Sequence, residues 1–304
     1  MYFPYLRGKQ FDLIAIRELS DNLPKELFCP IIEPVRTNLA PLLKTIKHLN
    51  NNNISPVIIV TPQVGDCVGE TDYLLDGLAG DDLEYLPCVV IKGGNYQLAT
   101  ETIRKINKPY AVQITDGISA ECIDIANNSE LNIVDSDFPP GALTRIRNVV
   151  LFGDFFQKQK RNADYKLESG FSHLHTTFSN LANAVGFSDY TIVSSEYSES
   201  GGPAFVVTIH MSYINKTMFD EMFIRHYSST DDGTPADPAA KFAEALQKMV
   251  ADANAINSIF FQSRALDEFR KLHERGHFPG LGHVKKLSIE HHIETVCHYL
   301  KSDN

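Results

Sequence analysis

The feature that most constrains this chain is a rhythm of short, unbroken apolar runs. Eight of them recur over residues 2–6 (YFPYL), 28–33 (FCPIIE), 56–61 (PVIIVT), 87–92 (PCVVIK), 109–115 (PYAVQIT), 131–134 (LNIV), 149–152 (VVLF) and 190–194 (YTIVS). Runs of this length without polar alternation suit strands buried on both faces, the condition of a parallel sheet. Helix-like segments separate them. Phe11, Ile14, Ala15 and Leu19 fall at helical spacing after the first run. Asn38 stands where it caps a helix over 39–50, with Pro41 in its first turn. Further helices are expected over 95–106, 118–127, 140–147 and 171–185. The segment 62–86 holds four glycines and reads as a loop with at most a short helix. Eight strands with helices between them predict an α/β fold, a (β/α)8 TIM-barrel-like cylinder. An open doubly wound sheet is the alternative. It calls for a glycine fingerprint after the first strand, and Gly8 alone does not supply one.

After residue 195 the pattern changes. Residues 204–213 (AFVVTIHMSY) and 222–227 (MFIRHY) read as an antiparallel pair. Asp, Gly and Pro make 228–238 a loop, and 239–273 carries one long amphipathic helix or two. A break over 276–282 leads to a last helix over 288–300. The expected organisation is a barrel with a terminal hairpin over 1–230 and a helical extension packed on it over 231–304.

Composition narrows the function classes. The formal net charge is −10, which repels phosphates and argues against a general coat on nucleic acid. No apolar run approaches the roughly 20 residues that span a bilayer. The five cysteines are odd in number, scattered, and form no CxxC, so a reducing, cytoplasmic setting is expected. No basic region followed by an apolar stretch opens the chain, and no leader is expected.

Barrels build their sites at the C-terminal ends of the strands. Here those ends carry Arg7 and Lys9, Glu33, Gln63, Lys92, Asp116, Asp135 and Asp137, Asp154, and Glu196 in strand order. Glu33, Lys92, Asp116 and Asp154 are the candidate catalytic groups, as acids, bases or metal ligands. Arg7, Lys9 and the hairpin's Arg225 are the candidate substrate-binding cations. Glu33 and Lys92 stand out because each follows directly on a buried run, where a charge needs a partner. A divalent metal would call on Asp116, Asp135, Asp137 and Asp154, although aspartate after a strand also starts turns and caps helices. Of the eleven histidines, His173 and His175 are spaced to face different ways on a helix, and no HExxH occurs. His210 and His226 lie on the antiparallel pair, and His291, His292 and His298 on the last helix. A Walker A loop and a GxSxG elbow are absent. The basic stretch 158–161 (KQKR) reads as an anion-binding lid or as a solvated loop.

Four stretches carry a resemblance: YFPYLRGK (2–9), FCPIIEPV (28–35), FSDY (187–190) and GLGHVKKLSIEHHI (280–293). Together they resemble the phage-type "beta protein" family and its bacterial relatives in mobile and defence-associated regions. The resemblance implies a barrel-like fold and a setting of phage–host conflict, and brings no established reaction. By position, the family's basic residue after the first strand falls on Lys9 or Arg7 and its acidic residue on Glu33.

Two functions are carried forward. One is an enzyme acting on an anionic substrate, phosphorylated or nucleotide-derived. The other is a non-catalytic binding or regulatory subunit of a defence or toxin–antitoxin-like pair, with a protein partner encoded nearby. For the second, Leu246, Met249, Val250, Ala253 and Ile256 form a stripe at helical spacing that either docks a partner or packs inward.

Overall fold

The computed structural model describes residues 1–80, 82–199 and 201–302. The chain forms two compact units. The first comprises Met1–Asp154 with Leu174–Tyr190, and the second Phe155–His173 with Thr191–Asn304. The hairpin expected to end the barrel domain therefore belongs with the C-terminal helices, and the change of unit falls near residue 154 rather than 230.

The first unit is the (β/α)8-type barrel. Seven parallel strands follow in chain order: β1 (Tyr5–Leu6), β2 (Ile31–Ile32), β3 (Val57–Ile59), β4 (Leu86–Ile91), β5 (Ala111–Ile114), β6 (Leu131–Asp135) and β7 (Val149–Gly153). Helices α1 (Gln10–Ser20), α2 (Ala40–Asn51), α3 (Thr71–Gly77), α4 (Tyr96–Lys105), α5 (Ala120–Asn127) and α6 (Pro140–Leu143) occupy the connections. Ile31, Val57, Ile59, Cys88, Val90, Ile133 and Val150 share one buried cluster, because alternate strand residues point to one face. The residues between them, such as Ile58, Val89, Val112 and Val134, are equally buried. Burial on both faces is why the runs read as continuous.

The eighth barrel strand is not the expected 190–194. It is Ala184–Asp189, which pairs in parallel with β7. The expected helix over 171–185 is replaced by strand β8 (Glu168–Ser172), a short helix α7 (Leu174–Thr177) and the start of this barrel strand, β9. The more β-prone segment YTIVS is interrupted at Thr191, whose φ of 58° lies in the left-handed region that β-branched residues avoid.

Closure occurs at Phe187. The Phe3 N–H donates to the Phe187 carbonyl at 2.8 Å, and the Phe187 N–H donates to the Met1 carbonyl at 3.2 Å. Tyr2 adds a hydrogen bond from its hydroxyl to Asp189, 2.7 Å, and stacks on Phe187 with ring centroids 5.1 Å apart. Gly186 makes the approach possible: a Cβ there would sit 2.6 Å from the Phe3 ring and closer still to the Met1 carbonyl.

In the second unit, β10 (Thr208–Asn215) and β11 (Glu221–Ser228) form the expected hairpin, and β8 adds to β11 as a third antiparallel strand. The expected 239–273 segment is two helices, α8 (Pro238–Ala253) and α9 (Arg264–Arg275), and the last helix, α10, starts early and runs Leu281–Ser302. Their apolar faces meet the hairpin in one core that includes Ile209, Met211, Phe242, Met249, Phe269 and Leu287. Among the described residues no helix is long and apolar enough to cross a membrane.

Replacing Gly186 by alanine forces a side chain into the seam, and overpacking of this kind costs about 1–3 kcal/mol. The Gly186→Ala protein should unfold at lower urea than wild type. An unchanged midpoint would contradict closure at this strand.

Candidate functional site

Arg7 follows β1 and Glu33 follows β2, so parallel pairing of these strands brings the two side chains together. The Arg7 Nε lies 3.2 Å from Glu33 Oε2, with the residues 9% and 2% exposed respectively. Gly8 shapes the approach: its φ is +35°, and a Cβ there would meet the Glu33 carbonyl at 3.1 Å. The Tyr5 hydroxyl donates to Glu33 Oε2 at 3.0 Å, and the Gln63 backbone N–H donates to Oε1 at 2.7 Å. Both carboxylate oxygens are thus held, as a buried charge requires.

Tyr190, the first residue after β9, completes the group. Its ring lies beneath the Arg7 guanidinium at 5.2 Å. Tyr5, Phe152 and Tyr190 form an aromatic triangle with centroids 4.9 to 5.4 Å apart. Burial pushes the Tyr190 phenol up to about 12; Arg7 pulls it back, while Glu33 and Asp154 push it further up. Burial, with Glu33 beside it, also holds Tyr5 well above the ordinary phenol range. Both phenols therefore keep their protons at neutral pH. A protonated phenol has an O–H to donate. Sequence reasoning took Tyr190 as the start of a strand and did not number it among the site residues. The FSDY stretch was the one signal that marked it.

The other expected residues are placed differently. Lys92 is exposed, so solvent meets the need for a partner that its buried run suggested. Asp116 is exposed and binds the Gly93 N–H through Oδ2 and the Thr115 hydroxyl through Oδ1, tying the end of β5 to the turn after β4. Asp154 is exposed and acts electrostatically on Tyr190. Lys9 is half-buried at the N-cap of α1, where its carbonyl accepts from Leu13. Arg225 lies in the second unit, bound to Glu168 at 2.7 Å and near Asp252 at 3.6 Å. There it links β11 to β8.

Asp135 accepts from the Asp137 N–H, an ordinary turn. Among the described residues no three or more His, Cys, Asp or Glu are grouped to hold a metal ion. The basic stretch is paired off, Lys158 with Glu196 at 2.8 Å and Arg161 with Asp164 at 2.6 Å. Of the proposed docking stripe, Leu246, Met249, Val250 and Ala253 pack into the second unit's own core, and Ile256 alone is fully exposed.

The second unit buries histidines instead. His210 and His226 meet through their Nδ1 atoms at 2.8 Å, and His226 Nε2 meets the Ser169 hydroxyl at 3.0 Å. His291 lies between the Ser263 hydroxyl, 2.7 Å, and the Ser212 carbonyl, 2.8 Å. Burial lowers His226 and His291 to about 4, and lowers His210 well below the ordinary imidazole range.

No protein-family model, curated protein or solved structure matches this chain.

Two outcomes are expected. Arg7→Met leaves Glu33 buried without its cation and should cost about 3–5 kcal/mol, whereas Arg7→Met with Glu33→Leu should recover most of that loss. Urea unfolding of the single and double variants checks this. Below about pH 6.5 the unfolded chain protonates histidines that the folded chain keeps neutral. Stability should therefore be unaffected by these rings above that pH and fall as pH drops towards 4. For His291 alone the loss is on the order of 3 kcal/mol. A urea midpoint that stays flat across the window would contradict it.

Proposed function

We propose that the barrel binds a small anionic substrate, phosphorylated or nucleotide-derived, beside Arg7, Glu33 and Tyr190, and acts on it by acid–base chemistry in the cytoplasm. The observation that carries this reading is the buried Arg7–Glu33 pair at the strand ends, with Tyr190 between it and a donor role. An apolar pair of similar volume would be as stable or more so, so stability alone gives little reason for a charged one. The C-terminal rim is also where barrels of this type carry their chemistry.

The roles follow from the contacts. Arg7 supplies positive charge, and its planar fork suits oxyanions. Glu33 fixes the guanidinium and is itself fixed by Tyr5 and the Gln63 amide. Tyr190, protonated at neutral pH, donates to the substrate oxygen and can pass it a proton. Exposed Lys92 and half-buried Lys9 attract the anion from solution. The resemblance of the YFPYLRGK and FCPIIEPV stretches to the phage-type "beta protein" family places this chemistry in phage–host conflict.

Wild type and Tyr190→Phe should be titrated with inorganic phosphate, ribose 5-phosphate and AMP while thermal unfolding is followed. At least one of these should raise the wild-type midpoint, and the rise should shrink in Tyr190→Phe, a change that keeps the ring and removes only the hydroxyl. If none moves the wild type, or Tyr190→Phe responds equally, the reading fails.

A further inference from the structure

We infer that the second unit contains a separate small-molecule site, built on α10 and the edge of β10, that takes a ligand with one anionic head and a short hydrocarbon body. A cavity of about 220 Å³ lies there, lined by Thr208 and His210 of β10, by Val284, Lys285 and Ser288 of α10, and by Ile192, Val206 and Val207. That volume is below the roughly 300–1,000 Å³ of sites for drug-sized ligands, so the occupant is smaller.

Three polar groups point to an anion. Lys285 is half-buried and has neither a carboxylate nor a hydrogen-bond partner among the described residues. Ser288 is only 2% exposed, lines the cavity, and its hydroxyl has no protein partner among the described residues. Its hydroxyl opens onto the cavity, where a bound ligand can reach it. Lys285 and Ser288 are three residues apart on one helix and so share a face. His210 is the third group. Its Nδ1 is engaged by His226, which is anchored in turn by Ser169, leaving Nε2 as the ring's unpaired polar atom. When His226 donates to His210, the proton of His210 resides on Nε2, a donor. Phe156 and Tyr165 meet the His210 ring edge-on at 5.1 and 4.8 Å and fix its orientation.

An ammonium, a hydroxyl and an imidazole N–H make a donor set for a carboxylate or a phosphate monoester. Ile192, Val206, Val207 and Val284 give the apolar wall for a short alkyl body. This site is independent of the Arg7–Tyr190 group, which belongs to the other unit.

The test uses calorimetric titration of the full chain with valerate, with propyl phosphate and with neutral pentanol. Valerate or propyl phosphate should bind, and the stronger of the two identifies the head group. Pentanol should bind at least about tenfold more weakly, since a charge-assisted contact is lost. Lys285→Met should weaken the anion by about ten- to a hundredfold, Ser288→Ala should weaken it less, and Tyr190→Phe should leave it unchanged. The inference is overturned if neither anion binds wild type, if pentanol binds as well as the anions, or if Lys285→Met and Ser288→Ala bind like wild type.

Discussion

Two backbone hydrogen bonds at Phe187 hold the two ends of the parallel sheet together. Without them β1 and β9 would each present a row of unpaired amides and carbonyls. The approach is closer than a side chain at residue 186 would permit, so glycine stands there. Tyr2 reinforces the junction with a hydroxyl on Asp189 and a ring on Phe187. The site depends on the same junction. Tyr190 is the next residue after β9, and only closure sets its ring beneath Arg7 on β1's far end.

The Arg7–Glu33 pair shows what that placement allows. Its ions lie away from solvent, yet each carboxylate oxygen has a donor and the guanidinium lies over an aromatic ring. The phenols around the pair keep their protons. The result is a fixed cation with a neutral donor beside it, a combination suited to an oxyanion. Lys92, Asp116 and Asp154, by contrast, are exposed to solvent.

The second unit buries an ion pair of its own, Lys286–Glu290 at 3.2 Å, and also buries imidazoles. His210, His226 and His291 are neutral at neutral pH, and each is matched to a hydroxyl, a carbonyl or a second ring. Neutral imidazoles carry little desolvation cost, so they can form hydrogen bonds inside an apolar core without counter-ions. Lys285 and Ser288 instead face a cavity.

How much of this was legible in the residues depends on range. Seven of the eight strands announce themselves as apolar runs, because burial on both faces selects such runs locally. Arg7 and Glu33 could be placed at strand ends for the same reason. The eighth strand could not. Ala184–Asp189 contains Gly186, Ser188 and Asp189, a weak strand by composition, and the lack of a Cβ at Gly186 lets it lie close against Met1–Phe3. Likewise Glu168–Ser172, which reads as the end of a connection and the start of a helix, is a strand paired with β11. Nor did any local signal separate Lys92, free in solvent, from Arg7, held by Glu33 and Tyr190. Local patterning by itself determined the barrel class and which residues end its strands, since these depend on periodicity and nearby burial. Tertiary structure alone decided where the ring closes and that Tyr190 meets Arg7, since both depend on segments more than a hundred residues apart finding one another.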